Sequence, residues 1–293
     1  MKVRAATVEG IFYPAERSAL AQRVGGLLAA AGVAGTASCI ISPHAAYDYS
    51  GALSAAAFQA AAGRPVERVL LLGPVHREPV DRLLLPESEA FQTPLATTPV
   101  DRQTVDRLAS LDSCFALDDI PHLEEHCLEV QLPFLQTLFP SARLVPVLMG
   151  RPAPRLVDAL AGALRRELAF EPGATLVAVS ANLTSYRPRA EGEREAQALL
   201  DLIRAGDWRA IVEQTARKSI SSCGAGCIAA ILALEQELGS RAEVLKLGSS
   251  LAASDDERKV VHYGAIAFER ANHGTIPDSR GTQRAVERGT GGD

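Results

Sequence analysis

The chain has 293 residues, 47% apolar and 22% charged, and its 30 basic against 35 acidic side chains give a net charge of −5. That apolar content excludes a disordered chain, and the acidic balance without a Lys/Arg-rich block gives no support for a nucleic-acid partner. No apolar run approaches the ~20 residues of a membrane span, and the opening Met1-Lys2-Val3-Arg4 lacks the apolar core of a signal peptide, so a cytoplasmic protein without membrane contact is expected.

In chain order, residues 17–31 have helical periodicity, weakened by Gly25 and Gly26. Residues 37–42 read as a buried strand, 51–62 as an Ala-rich helix and 68–73 as a second buried strand closed by Gly73-Pro74. A short strand follows at 83–86, then an amphipathic helix within 99–111. Residues 124–138 look helical, with Pro133 either kinking that helix or starting a new one. Residues 143–149 read as a strand in which Pro146 suggests an edge or irregular position. A helix at 154–169, a buried strand at 174–179, helices at 189–205, 207–217 and 223–238, and late strands at 243–248 and 260–268 complete the alternation. This order predicts one layered α/β/α domain over residues 1–270 with a largely parallel or mixed central sheet. From residue 271 to 293 the chain is polar and Gly-rich and is expected to be a disordered tail.

Five cysteines, an odd number spread over a long chain, do not form a disulfide framework and read as reduced thiols. Open α/β sheets bind ligands beyond the carboxyl ends of their strands. Three such ends carry polar residues: Ser42-Pro43-His44-Ala45-Ala46-Tyr47, Gly73-Pro74-Val75-His76, and Ser180-Ala181-Asn182-Leu183-Thr184-Ser185-Tyr186. If their strands are neighbours, His44 and His76 converge as half of a metal site; otherwise they are unrelated loop histidines. Cys223, in a Gly-containing turn before a helix, has a third donor's chemistry, and equally that of a packed thiol. His122 and His126 stand four apart, and His126 and Glu129 three apart, so a continuous helix would put them on one face as a general acid/base pair or a capping cluster. His262 in an apolar strand reads as a satisfied core residue. Cys223 and Cys227 also admit a thiol-redox role, although their spacing is not CxxC. No P-loop, GxGxxG or GxSxG element is present, so no nucleotide cofactor and no serine hydrolase is expected.

Taken together, Pro43-His44-Ala45-Ala46-Tyr47, Gly73-Pro74-Val75-His76, Thr93-Pro94-Leu95, the run Glu125-His126-Cys127-Leu128-Glu129-Val130-Gln131-Leu132-Pro133-Phe134-Leu135 and Cys223-Gly224 resemble the MEMO family, the AmmeMemoRadiSam system protein B group, in order and spacing over about residues 5–270. The resemblance implies the fold of the class III extradiol, LigB-like dioxygenases, whose iron(II) is held by two His and one Glu. In the MEMO family a Cys takes the place of the Glu. It therefore implies a metal site of His44, His76 and Cys223 for Fe(II) or Cu, with His126 and Glu129 as candidate catalytic residues and Tyr47, Asn182 and Ser185 lining the crevice. It implies oxygen or redox chemistry on a small ligand. This chain departs from the family's SSDLSHY segment, carrying Asn182 for its Asp and Ser185 for its acid/base His, and neither side chain accepts a proton near neutral pH. Whether the chain is an enzyme stays open on that ground. The alternative is an inactive scaffold that holds a peptide or protein in the crevice, with a radical-SAM system protein as a candidate partner.

Overall fold

The computed structural model describes residues 2–32, 34–77, 80–170 and 174–270. The expected tail at 271–293 and His273 lie outside the described residues. A two-residue strand β1 (Val3–Arg4) leads into α1 (Arg17–Ala30), whose buried Leu20, Val24 and Leu28 recur every four residues. That stripe offsets the cost of its two glycines, ~1 kcal/mol each. Then come β2 (Cys39–Ser42), α2 (Tyr47–Gln59), β3 (Arg68–Pro74), β4 (Leu83–Leu85), β5 (Ala90–Gln92), β6 (Thr97–Pro99) and α3 (Arg102–Leu111), which Asp101 caps by accepting from the Thr104 N–H. After β7 (Phe115–Leu117), α4 (Asp119–Glu124), α5 (Leu132–Leu138), β8 (Arg143–Met149), α6 (Pro154–Phe170), β9 (Thr175–Ser180), α7 (Arg189–Ala205), α8 (Trp208–Ala216) and α9 (Ala225–Leu238), the hairpin β10 (Ser240–Ser249) and β11 (His262–Arg270) ends the fold.

The main sheet has the order β10-β11-β2-β9-β3-β8-β4-β7. Its centre, β2-β9-β3-β8, is parallel, while β11 runs antiparallel to β2 and β4 antiparallel to β8. The mixed α/β architecture is thus as the alternation predicts. Apart from Arg143 the central strands are buried along their length, as an apolar run such as Val69–Leu72 requires when both faces are covered. Helices α1, α2 and α5 pack together, and so do α6, α8 and α9. One apolar core runs from Tyr13 to Phe268.

One question the sequence reading leaves open is answered and two expectations change. β2 and β3 are not neighbours, because β9 lies between them. Pro146 sits in an interior strand, tolerated because β4 pairs with β8 only at Leu148 and Met149 and a lone bridge touches Leu144. Residues 124–138 are not one helix: α4 stops at Glu124, Glu125 is extended, a 3-10 turn spans Glu129–Gln131, and α5 begins with Pro133 in its first turn. His126 and Glu129 therefore share no helical face. A second sheet, β1-β5-β6, goes unpredicted because its strands are two or three residues long.

Candidate metal centre

The carboxyl ends of β2, β9 and β3 and the start of α9 meet at one crevice. Two glycines permit the approach. A Cβ at Gly73 would lie 2.7 Å from Leu128 Cδ2 and 2.8 Å from Cys127 Sγ, so the 125–131 segment can lie across the end of β3. A Cβ at Gly224 would lie 2.4 Å from the Ala181 Cβ, so the Cys223 turn can close onto the end of β9.

His44 is buried, and its backbone N–H donates to Asn182 Oδ1 (3.1 Å). Its Nδ1 lies 2.9 Å from Ser180 Oγ. The Ser180 hydroxyl donates its one proton to the Cys127 carbonyl (2.7 Å) and accepts from Gln131 Nε2 (3.0 Å). Its remaining role toward His44 is acceptor, so Nδ1 carries the proton and Nε2 presents a lone pair. That lone pair faces Cys223 Sγ at 3.1 Å. His76 is held by Glu125, whose Oε1 accepts its backbone N–H and whose Oε2 lies 2.8 Å from its Nδ1. The two imidazoles meet edge to face, with centroids 5.2 Å apart. Donor atoms of His44, His76 and Cys223 all lie within 4.8 Å of one another. β9 between their strands does not separate the histidines; it supplies the serine that orients one of them.

Burial alone would raise the Cys223 thiol, but His44 and His76 beside it outweigh burial and hold it well below the usual thiol range. Burial alone would lower His76, but Cys127, Cys223 and Glu125 together push it up. The Cys223 sulfur is thus held as the anion a metal ligand needs, and a metal at His76 would displace the proton that its anionic neighbours favour there. Cys127 and Cys227 contrast with it. Burial raises both thiols, and they donate to the carbonyls of Pro74 (3.3 Å) and Gly73 (3.5 Å). All five cysteines are free. His76, Glu125 and Cys127 also lie within 4.8 Å of one another, but Glu125 is taken up by the two N–H groups of His76 and the Cys127 proton by Pro74. The donor set of His44, His76 and Cys223, two imidazole nitrogens and a thiolate, is one that a single zinc, iron or copper ion could take.

A family model for Memo-like proteins matches residues 4–267. The chain belongs to the MEMO family. A MEMO1 family protein of Thermotoga sp. strain RQ2 is 34% identical over 235 residues, covering 78% of this chain and 82% of that protein. Another from Aeropyrum pernix is 34% identical over 281 residues, covering 91% and 99%. Among solved structures, an uncharacterized protein from Escherichia coli K12 aligns with a TM-score of 0.47 at 9% identity, over 78% of this chain and 98% of that one.

Of the other residues expected at this MEMO crevice, His126 is on its wall, stacked on His76 with ring centroids 5.0 Å apart, 5.5 Å from His44 and tilted against Phe12 at 4.8 Å. Burial, then the neighbouring His44 and His76, lower it to about 4, so it is neutral at pH 7. Asn182 is present as the acceptor for His44. Ser185 gives its backbone N–H to Ser221 Oγ (3.0 Å). Two expectations are corrected. Glu129 faces away from the crevice into a buried cluster with Arg4, Thr7, Val8 and Tyr13, because the broken helix turns it toward β1. Tyr47 is core, with its hydroxyl on the Val130 carbonyl (2.8 Å) and its ring against Phe134. His122 is also core: buried, and bonded through Nε2 to the Leu84 carbonyl (3.1 Å). His262 pairs with Thr184 Oγ1 (3.0 Å). The sequence reading misses Glu125, Ser180 and Gln131 as supports. Their signal is adjacency to the motifs, since Glu125 precedes His126 and Ser180 opens the β9 turn. Among the described residues, no helix is long and apolar enough to cross a membrane.

Proposed function

We propose that this MEMO-family chain binds one Fe(II) or Cu ion through His44, His76 and Cys223, in a crevice that receives a small ligand or dioxygen. One observation supports this most strongly. With the Nδ1 proton of His44 committed to Ser180, its Nε2 lone pair and the Cys223 sulfur face each other at 3.1 Å, and two such donors require a proton or a cation between them. A bound iron or copper ion would supply Lewis-acid or one-electron chemistry to a ligand in the crevice. Ser180 and Glu125 hold the two imidazoles with Nε2 free, and Asn182 holds the main chain at His44. His126, neutral and beside both ligand histidines, takes the proton-acceptor role that Ser185 lacks. Anaerobic titration with Fe(II) and with Cu(I) tests the proposal. One ion per chain is expected for the wild type and loss of that binding for Cys223→Ala; equal uptake by both proteins overturns it.

Asn182 and Ser185 favour a second reading, an inactive module that holds a peptide, a small molecule or a radical-SAM partner in the same crevice. Sustained oxygen uptake by the iron-loaded protein across a catechol panel removes that reading.

A further inference from the structure

A second hollow lies between α7 and the β10–β11 hairpin. Its volume is about 240 Å³, and its wall includes Ala196 and Leu200 of α7, Leu247 of β10, His262 of β11 and Leu183. None of its lining residues is a proposed metal donor. Segment 182–185 separates it from the crevice: Asn182 accepts from the His44 main chain, and Thr184 holds His262. We propose that this hollow is a binding site for a small, neutral, mainly apolar molecule that presents one hydrogen-bond acceptor to His262. The proposal stands apart from the metal reading.

His262 supplies the polar anchor. It is only 9% exposed and lines the hollow. Thr184 Oγ1 accepts from the His262 backbone N–H (3.0 Å) and lies 3.0 Å from its Nδ1. The Thr184 hydroxyl is fully buried and has no other acceptor among the described residues, so its proton goes to Nδ1. Burial lowers His262 against the pull of Glu193 and Glu195, so the ring is neutral at pH 7 and its proton is on Nε2. That N–H has no partner among the described residues, and a buried donor left unmatched is costly. Gly192 makes room for the ring: a Cβ there would lie 2.6 Å from His262 Cε1 and 2.8 Å from Nδ1. A glycine inside a helix costs stability relative to alanine, and here it admits a ring whose second nitrogen no protein group uses.

The walls set the rest of the ligand. Leu183, Ala196 and Leu200 are buried, whereas Leu247 is 50% exposed, so an apolar occupant would take it out of water. The nearby carboxylates are already matched, Glu193 to Arg189 (3.0 Å) and Glu195 to Arg187 (3.0 Å). Neither an anion nor a cation finds an open counter-charge there, and an unpaired charge in an apolar hollow is penalised. An apolar cavity of ~150 Å³ holds benzene, so about 240 Å³ suits a molecule of ~10 non-hydrogen atoms. The chemistry that fits is a ring with a short carbonyl-bearing substituent.

The test titrates the full chain with three probes and follows its methyl and histidine side-chain NMR signals. Acetophenone carries the acceptor, cumene has nearly the same shape without it, and benzoate is an anion of similar size. Saturable binding of acetophenone is expected, with the largest shifts at His262, Leu200 and Leu247. A ~3–10-fold preference over cumene is expected, the scale of one neutral hydrogen bond, and no saturable binding of benzoate. His262→Phe keeps a ring and removes the donor, and is expected to bring acetophenone and cumene to equal affinity. Gln197→Trp, at an exposed position on the rim, is expected to fill the hollow and abolish binding of both; it carries the test if His262→Phe fails to fold. The proposal is overturned if acetophenone does not bind, if cumene or benzoate binds as well, or if His262→Phe keeps the preference. Binding that Gln197→Trp leaves unchanged, or largest shifts at His44 and His126, also overturns it by placing the probe elsewhere.

Discussion

The 125–131 segment serves two polar clusters, and they differ in whether their charges are closed. Toward β1, Glu129 is 0% exposed and receives Arg4, the Tyr13 hydroxyl, the Thr7 hydroxyl and the backbone N–H groups of Thr7 and Val8. Arg4, in turn, donates to the carbonyls of His122 (2.9 Å) and Glu125 (2.7 Å). Every charge there has its opposite. Toward the strand ends, Glu125 is matched to His76, but the His44 lone pair and the Cys223 sulfur face one another. The same residue types a few positions apart thus do different work. A closed cluster ties β1 to the body of the fold, and an open one is where we propose that a cation binds.

The closed cluster gives the largest expected effect. Glu129→Ala strands the Arg4 charge in the interior, and urea unfolding at pH 7 should show a loss of ~3–5 kcal/mol. Replacing both partners with apolar residues, Arg4→Met with Glu129→Leu, should cost less than the single change. A loss below ~1 kcal/mol for Glu129→Ala, the size of a surface pair, would mean that the cluster does not hold the fold.

Acid should open the closed side in two steps. Burial holds His122 down to about 4 against 6.5 for a free histidine, so it is neutral in the fold and the unfolded chain binds the extra proton. Stability from this group is present above pH 6.5 and falls as pH drops from 6.5 to about 4, by on the order of 3 kcal/mol. Burial would raise Glu129, but Arg4, Tyr13 and Val8 outweigh it and hold its carboxyl below 4.5. Its contribution is therefore present above 4.5 and is lost as pH falls through the lowered value. Urea midpoints measured from pH 7.5 to 3.5 should show both steps, and His122→Gln should shrink only the upper one, to which the equally lowered His126 also contributes. An unchanged upper step in that variant contradicts the assignment.

Much of this was legible before the fold was known. Apolar runs such as 68–73 and 174–179 mark the central strands because they are buried on both faces, and His44 and His76 stand out because each lies just beyond the end of such a run. The insertion of β9 between β2 and β3 was not legible, since strand order is set by long-range pairing rather than local pattern. Nor was the separation of Glu125 from Glu129. Their spacing suits a helix, and only the tertiary partners Arg4 and His76 pull the segment out of one. Tyr47 reads as crevice lining from its motif, but its ring finds Tyr13 and Phe134 beneath the site.

The smallest expected effect belongs to the crevice wall. His126 contacts both ligand histidines without joining the donor set. His126→Ala should keep one ion per chain by metal analysis and lose about 1–2 kcal/mol of stability, since its ring meets those of Phe12, His44 and His76. Loss of the ion would make His126 a ligand and the open cluster larger than described.

X-ray absorption at the metal edge of the iron- or copper-loaded protein examines the open cluster most directly. One sulfur neighbour near ~2.3 Å and two imidazole nitrogens near ~2.0–2.1 Å are expected, with the sulfur shell absent in Cys223→Ser. A first shell without sulfur, or one that Cys223→Ser leaves unchanged, would contradict the proposed site.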